Sequence, residues 1–275
     1  MSCPKCVEGY ELPGEPAGSI HADYHGAYLA PGPPDGQKGI AVVFLTDGFG
    51  LPLKNCKIMA DKIAERVGCD VWVPDYFAGR PPVPLNAMNM PDKADQIPTM
   101  WDWIKFIFIN GIPVLPGIIR NRPSVVAVRL ASFFALLKEK KSYGKIGAVG
   151  YCFGGATAVR LSSTGLINSV VICHPSSFTI DEVRAIKVPS SWVCPEVDIF
   201  LAHQVRLDAE AALATKKETD PSVEYEFKDY PGTQHGFAAR PNHKYPELVE
   251  AHDQALDQTV NWLKKTLIPE VPSTA

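Results

Sequence analysis

The stretch that decides the fold is Ile146-Gly147-Ala148-Val149-Gly150-Tyr151-Cys152-Phe153-Gly154-Gly155. It joins an apolar run, 146–149, to a segment with the character of a helix. The glycines around Cys152 leave room for a strained turn that lifts this side chain out of a sheet, and a helix that follows directs its first amides towards it. The pattern predicts a strand, a tight turn that presents a thiol, and a helix. A small buried cysteine in a glycine-rich turn is the alternative that this motif alone leaves open.

Apolar runs on both sides of this stretch predict a mostly parallel central sheet with helices on both faces. Strands are predicted over 40–45, 71–75, 146–149, 169–173, 191–194 and 223–227, the last as an edge strand, and helices over 55–67, 124–141, 201–217 and 245–267. In such a sheet, a strand, a G-x-nucleophile-x-G turn and a helix form the nucleophile elbow of the α/β-hydrolase fold. This fold is therefore the predicted class.

The domain organisation follows from length and from the proline-rich segments. The 275 residues predict one α/β-hydrolase domain over 1–275. Residues 1–38 are rich in glycine and proline and predict an N-terminal arm and an antiparallel edge hairpin, in which Tyr24–Leu29 is extended. Cys3 and Cys6 form a C-x-x-C without a second pair, so a surface arm is favoured over half a zinc site or a redox pair.

Residues 81–123 form the least regular part of the sequence, with eight prolines around an apolar stretch, 101–112. This composition predicts a capping insertion over the site, and a lipid-surface or dimer patch is the alternative. Trp101, Trp103 and Phe106 are interpreted as packing residues in preference to a pocket lining.

The amino-acid composition excludes several classes of binding partner and of function. A net charge of −3 offers no basic field for nucleic acid or for anionic lipid. The first residues lack the apolar core of a signal peptide, and no apolar run reaches the length of a membrane span, so a cytoplasmic protein is expected. Seven scattered cysteines, an odd number, predict mostly reduced thiols. We expect a small-molecule substrate, no metal, no cofactor, and a monomer or a homodimer.

Strand ends supply partners for Cys152 in the chain order that the fold requires: nucleophile, acid, histidine. Asp198 follows the strand that ends near residue 194, and His235 lies beyond the last strand. The imidazole would take the thiol proton, and the carboxylate would hold its tautomer. Glu196 is the rival acid, and Asp198 is favoured. His174, at the end of its own strand, is expected to line the pocket. The remaining histidines are interpreted as surface residues: His21, His25, His203, His243 and His252.

The sequence resembles the dienelactone hydrolases, in particular the fungal members of that family, over nearly its whole length. The resemblance rests on six segments: Cys3-Pro4-Lys5-Cys6 with Gly9 and 14–18, Asp47-Gly48-Phe49-Gly50, Val73-Pro74-Asp75, Gly150-Tyr151-Cys152-Phe153-Gly154-Gly155, Glu196-Val197-Asp198 and His235-Gly236-Phe237-Ala238-Ala239-Arg240.

This resemblance implies roles for individual residues. Cys152 would be the nucleophile, His235 the base and Asp198 its orienting acid, with an oxyanion hole formed by the backbone amides of Gly48 and Phe153. Residues expected to bind substrate or to modulate the thiol are Asp47, Phe49, Tyr151, His174 and Arg240.

Two departures from the family pattern limit what the resemblance implies. Bacterial members carry a glutamate, thought to hold the resting thiol's proton, where this chain has the shorter Asp47. They also carry an arginine four residues after the histidine, where this chain has Ala239, with Arg240 next. Specificity for an anionic dienelactone therefore does not transfer, and Arg240 is expected either to pair with Asp47 or to hold an anionic substrate.

The function expected from this constellation is a cysteine-dependent hydrolase of a lactone or ester that works through a thioester acyl-enzyme. Three alternatives stay open, the least favoured of them a redox role for Cys152 or for the pair of Cys3 and Cys6. The same site could serve a non-hydrolytic isomerase or cyclase of a polyketide-type pathway, or the fold could serve a binding protein without chemistry.

Overall fold

A computed structural model describes residues 10–85, 93–95 and 111–269. Within these ranges the strands are β1 (Ser19–His21), β2 (Ala27–Ala30), β3 (Ile40–Leu45), β4 (Asp70–Val73), β5 (Lys145–Tyr151), β6 (Ser169–Cys173), β7 (Ser190–Val197) and β8 (Tyr225–Gln234). The α-helices are α1 (Asn55–Val67), α2 (Ile112–Arg120), α3 (Pro123–Lys140), α4 (Phe153–Leu161), α5 (Ile180–Arg184), α6 (His203–Thr219) and α7 (Pro246–Leu267).

The strands form one sheet in the order β1-β2-β4-β3-β5-β6-β7-β8. β1 pairs antiparallel with β2, and β2 pairs antiparallel with β4, whereas every pairing from β4 through β3 to β8 is parallel. The two antiparallel strands belong to the predicted N-terminal hairpin. Because the carboxyl ends of the parallel strands share one edge, the loops after β3, β5, β6, β7 and β8 meet there.

Both faces of the sheet are covered by helices, as the continuous apolar strands predict. Along β3, Val42 and Phe44 pack into a core cluster with α1 and α7, whereas Ala41 and Val43 pack into a second cluster with α3, α4, α5 and α6. All six residues of β3 are buried. The α/β-hydrolase architecture predicted from the sequence is thus confirmed, with β5 and α4 near its centre.

Some local predictions need correction. Tyr24, expected in an extended piece, lies in a short 3-10 helix, Ala22–Tyr24, and β2 begins only at Ala27. About half of the predicted capping insertion, 81–123, lies outside the described residues, as do Trp101, Trp103, Phe106, Cys3 and Cys6. Its described end contains α2 and the start of α3, so residues 112–120 are helical although two prolines fall within them.

Candidate active site

The turn between β5 and α4 presents Cys152 in a conformation that few non-glycine residues adopt. Its φ is 53° and its ψ is −111°, and such a strained backbone is typical of functional positions. A Cβ on Gly150 would lie 2.1 Å from the carbonyl oxygen of Gly154, and a Cβ on Gly154 would lie 2.1 Å from that of Leu45. The flanking glycines are therefore required by close backbone packing. Cys152 is half-buried, whereas Cys56, Cys69, Cys173 and Cys194 are buried; these are the unbonded cysteines in the ranges described.

His235 and Asp198 meet at the same edge of the sheet. Nδ1 of His235 lies 2.7 Å from Oδ2 of Asp198, and the two side chains are only 6% and 0% exposed. The other carboxylate oxygen of Asp198 accepts hydrogen bonds from the amides of Phe200, at 2.7 Å, and Leu201, at 3.1 Å. The carboxylate is thus fixed by its own loop, while the ring presents Nε2 on its opposite side.

Glu196, the rival acid, is directed elsewhere. It is exposed, and its carboxylate accepts a hydrogen bond from the amide of Gly232 at 2.6 Å. The geometry therefore pairs Asp198, rather than Glu196, with the imidazole.

The electrostatic environment of His235 favours its charged form. Burial alone would lower the pKa of the imidazole, but the negative charges of Cys152 and Asp198, together with the Asp198 hydrogen bond, raise it to about 10. Nε2 is buried and has no hydrogen-bond partner among the described residues. This nitrogen is therefore available to exchange a proton at the cavity that Cys152 and His235 both line.

Gly48 and Phe153, whose backbone amides are expected to form the oxyanion hole, line the same cavity as Cys152. Phe153 is the first residue of α4, so its amide has no acceptor within the helix. Gly48 follows β3 and lines the same cavity as Cys152 and Phe153. A Cβ on Gly48 would lie 2.7 Å from Cγ2 of Val83, so the glycine lets the chain after β3 pass closely under this valine.

Asp47 and Arg240 form an ion pair beside the cavity. Nε of Arg240 donates to Oδ2 of Asp47 at 2.9 Å, and the amide of Phe49 donates to the other carboxylate oxygen at 3.1 Å. The guanidinium carbon lies 4.7 Å from the centre of the Phe49 ring, a cation–π distance. Of the two expectations for Arg240, the structure shows the pairing with Asp47.

His174 and Tyr151 lie behind the site rather than in the cavity. The ring of His174 packs edge-on against that of His235 with 5.1 Å between centroids, and Tyr151 stacks on Phe44 at 4.9 Å. Both side chains are buried, at 0% and 1% exposed. The predicted pocket lining by His174 is thus wrong, and direct substrate contact by Tyr151 is not supported, because both side chains point into packed surroundings. Burial also keeps the pKa of His174 well below its usual range.

One histidine of the predicted surface set is buried. His252 is 1% exposed, and its Nδ1 lies 2.9 Å from the carbonyl oxygen of Ala238. The surface interpretation was wrong because His252 lies on the face of α7 that packs on the sheet, next to the loop that carries His235. Its position three residues before the buried Ala255 is a helical spacing that could have indicated this.

A cavity of about 700 Å³ opens from Cys152 and His235 and extends between α3 and α4. Its walls are mainly apolar and include Phe200, whose ring lies 5.1 Å from that of His235. The sequence interpretation missed Phe200, although its position two residues after Asp198 is a signal that could have found it. It also missed the walls contributed by α3 and α4, because nothing in their spacing separates a cavity wall from a packed helix face.

Neither a metal cluster nor a membrane span appears in the part of the chain that the structure describes. No group of three or more histidine, cysteine or acidic side chains in those residues could hold a metal ion. Across 10–85, 93–95 and 111–269, no helix combines the length and the apolarity needed to cross a bilayer.

The fold and the strand-edge constellation define an α/β-hydrolase. The sequence model of the dienelactone hydrolase family matches residues 26–267, and the chain belongs to that family. This membership confirms the enzyme class predicted from the sequence, an ester or lactone hydrolase acting on small molecules.

Individual relatives agree with this assignment. Hydrolase tropI of Talaromyces stipitatus is 30% identical over 266 residues, covering 96% of each chain. Hydrolase pyvD of Aspergillus violaceofuscus is 29% identical over 86% of this chain and 84% of its own. The crystal structure of dienelactone hydrolase from Anabaena variabilis has a TM-score of 0.59 at 15% identity and covers 92% of this chain and 100% of that one; it supports the fold.

Proposed function

We propose that the protein is a cysteine-dependent hydrolase of a lactone or an uncharged ester, with Cys152 as nucleophile, His235 as general base and acid, and Asp198 as the residue that orients the imidazole. The single observation that carries this proposal is the His235–Asp198 contact at the cavity that Cys152 lines. A buried carboxylate at Nδ1 fixes the tautomer and leaves Nε2 to face the reaction.

The reaction begins with the sulfur of Cys152 as a thiolate, its proton held by His235. The ionised sulfur and Asp198 together raise the pKa of the imidazole, so thiolate and imidazolium stabilise each other as a coupled pair. The thiolate sits at the N-terminus of α4, where the helix dipole and free amides favour negative charge.

In the first half-reaction the sulfur forms a bond to the carbonyl carbon, and the carbonyl electron pair moves to the oxygen. The amides of Gly48 and Phe153 stabilise this oxyanion, each donor contributing on the order of 3 kcal/mol. As the tetrahedral intermediate collapses, the bond to the leaving oxygen breaks and His235 gives its proton to that oxygen. The product of this step is a thioester on Cys152.

In the second half-reaction neutral His235 takes a proton from water, and the resulting hydroxide equivalent adds to the thioester carbonyl. Collapse of this second intermediate breaks the carbon–sulfur bond and releases the carboxylic acid. The thiolate and the imidazolium are then restored, so no external proton donor or electron acceptor is needed.

The Asp47–Arg240 pair affects which substrate charge the site accepts. Because the guanidinium is already neutralised by a carboxylate and packed on Phe49, it offers little free charge for a second anion. We therefore propose that the site favours an uncharged lactone or ester over an anionic dienelactone.

A panel of lactones and aryl esters, run in parallel on the wild type and on Cys152→Ser, tests the proposal. We expect hydrolysis by the wild type with product mass increased by one water, and a fall of about 10²-fold or more in Cys152→Ser. Cys152→Ala, which has no nucleophilic side chain, should be inactive, and an unchanged rate in that variant would exclude Cys152 as nucleophile. A product of unchanged mass would instead indicate an isomerase or cyclase, and an unreactive wild type a binding protein.

A further inference from the structure

The cavity is far longer than the reacting centre requires. One face of α4 lines it from Phe153 to Leu161, and α3 lines it from Pro123 to Ala131. At 1.5 Å per residue, each of these eight-residue steps corresponds to about 12 Å of groove. Residues beyond α4, Thr164 and Leu166, extend the lining further from the thiol.

The groove walls are apolar and show a helical pattern on both sides. On α3 the lining positions recur every three or four residues, at Val126, Ala127, Leu130 and Ala131, and α2 adds Val114 and Ile118. This is the spacing of one continuous helix face. Ala127 and Ala131 are exposed on this face, whereas Val126 and Leu130 are also packed in the buried core.

The charges near the groove are neutralised. Arg160, on the lining face of α4, donates from Nε to Glu182 at 2.7 Å and from its terminal nitrogen to the carbonyl oxygen of Ser177 at 2.9 Å. Arg240, at the other side of the thiol, is paired with Asp47. Among the described residues that line the cavity, both guanidinium groups are thus paired with carboxylates, which favours an uncharged occupant over an anionic one.

We propose that this groove binds an extended, uncharged apolar chain that the substrate carries beside its reacting carbonyl, and that Ala127 and Ala131 determine how long that chain can be. The inference rests on the proposed function, since the groove is continuous with Cys152. The two alanines are small and exposed on α3, so a larger side chain at either position would extend into the groove that they line.

Chain length is the first readout. Straight-chain p-nitrophenyl esters from acetyl to decanoyl, held below their aggregation limits, vary the acyl side, and acetate esters of straight-chain alcohols vary the other side. Each buried methylene favours binding by up to about fourfold. We expect kcat/KM of the wild type to rise by tenfold or more along one of the two series, which identifies the side that enters the groove.

Blocking the groove is the second readout. Ala127→Phe or Ala131→Phe should lower the ratio of long-chain to acetyl activity by about tenfold or more. Val128→Phe is the matched control, because Val128 lies on the same helix, is 71% exposed and does not line the cavity. This control should leave the ratio within about twofold of the wild type.

The outcomes separate this inference from the function on which it rests. A flat profile in both series, or equal effects of the phenylalanine variants on short and long esters, would overturn the groove assignment while acetyl hydrolysis still depended on Cys152. Acetyl hydrolysis at the wild-type rate in Cys152→Ala, which has no nucleophilic side chain, would overturn the proposed function itself. Circular dichroism of each variant confirms that the loss is not one of folding.

Discussion

His235 and Asp198 are separated by 37 residues in sequence, yet their side chains are joined by a 2.7 Å hydrogen bond beneath the cavity. The loop after β7 holds the carboxylate through two of its own amides, and the loop after β8 supplies the imidazole. A rigid acceptor at Nδ1 is what allows the ring to present a fixed proton donor on its other side.

Removing this carboxylate's charge should reduce catalysis. Asp198→Asn retains the shape of the side chain but no longer fixes the tautomer, and we expect kcat/KM for an activated ester to fall on the order of 10²- to 10⁴-fold. Glu196→Gln is the matched control, two residues away on the same segment and turned to the amide of Gly232. Steady-state kinetics on both variants test this; equal losses would contradict the assignment of Asp198.

The alkaline limit of activity should report the charge on His235. Its pKa is raised to about 10, so the imidazolium persists at neutral pH and is lost as the pH rises through that value. We expect kcat/KM to decline there, since both the partner of the thiolate and the acid for the leaving oxygen disappear. In Asp198→Asn one source of the raised pKa is gone, and the decline should move to lower pH. An alkaline limb at the same pH in both proteins would refute this.

The ion pair between Asp47 and Arg240 should contribute to stability as a unit. Its side chains are 5% and 12% exposed, so removal of one partner leaves a charge largely desolvated. Asp47→Asn or Arg240→Gln should each lower the free energy of unfolding by about 3 kcal/mol, and the double variant should lose less than the sum. Urea unfolding of the three variants measures this coupling. Additive losses would show that the pair does not act as one.

His252 should make the fold sensitive to acid. Burial lowers its pKa to about 4, whereas in the unfolded chain the value is about 6.5. The folded state therefore binds fewer protons, and its full stability holds above about pH 6.5 and is lost as the pH falls towards 4. Between pH 6.5 and 4 this titration lowers the free energy of unfolding by about 3 kcal/mol in total.

His252→Asn can still donate to the carbonyl of Ala238 but cannot titrate. We expect its free energy of unfolding to fall less steeply between pH 6.5 and 4 than that of the wild type, with His243→Asn, at an exposed position, behaving like the wild type. Identical slopes in all three proteins would rule out His252 as the titrating group.

The sheet could be predicted because apolar runs in the sequence mark its strands. Ile40–Leu45 is an uninterrupted apolar run, Ser169–Cys173 is apolar after its first residue, and the structure places strands at both. The edge strand β8 begins two residues later than predicted and extends to Gln234, because its second half pairs with β7 across a register shift near Pro195. Tertiary pairing of this kind leaves no mark in local periodicity.

The site residues likewise include some that the sequence predicts and some that it does not. Cys152, Asp198 and His235 could be proposed because each follows a strand at a place the fold makes functional. The burial of His174 could not, since a histidine at the end of a strand carries no sign of which side its ring faces. The burial of His252 had a sign in its helical spacing to Ala255, which the surface interpretation did not use. Ala127 and Ala131 became candidates only when α3 was seen to line a cavity.

In the proposed mechanism a covalent acyl group passes through the sulfur of Cys152. Rapid acid quench of the wild type with a p-nitrophenyl ester, followed by intact-mass and peptide-mass analysis, tests this most directly. We predict one acyl group per chain, carried on the peptide that contains Cys152 and absent from Cys152→Ala, together with a burst of p-nitrophenol of the same amplitude. Undiminished hydrolysis by Cys152→Ala, or an acyl group found on another residue, would contradict a thioester intermediate on Cys152.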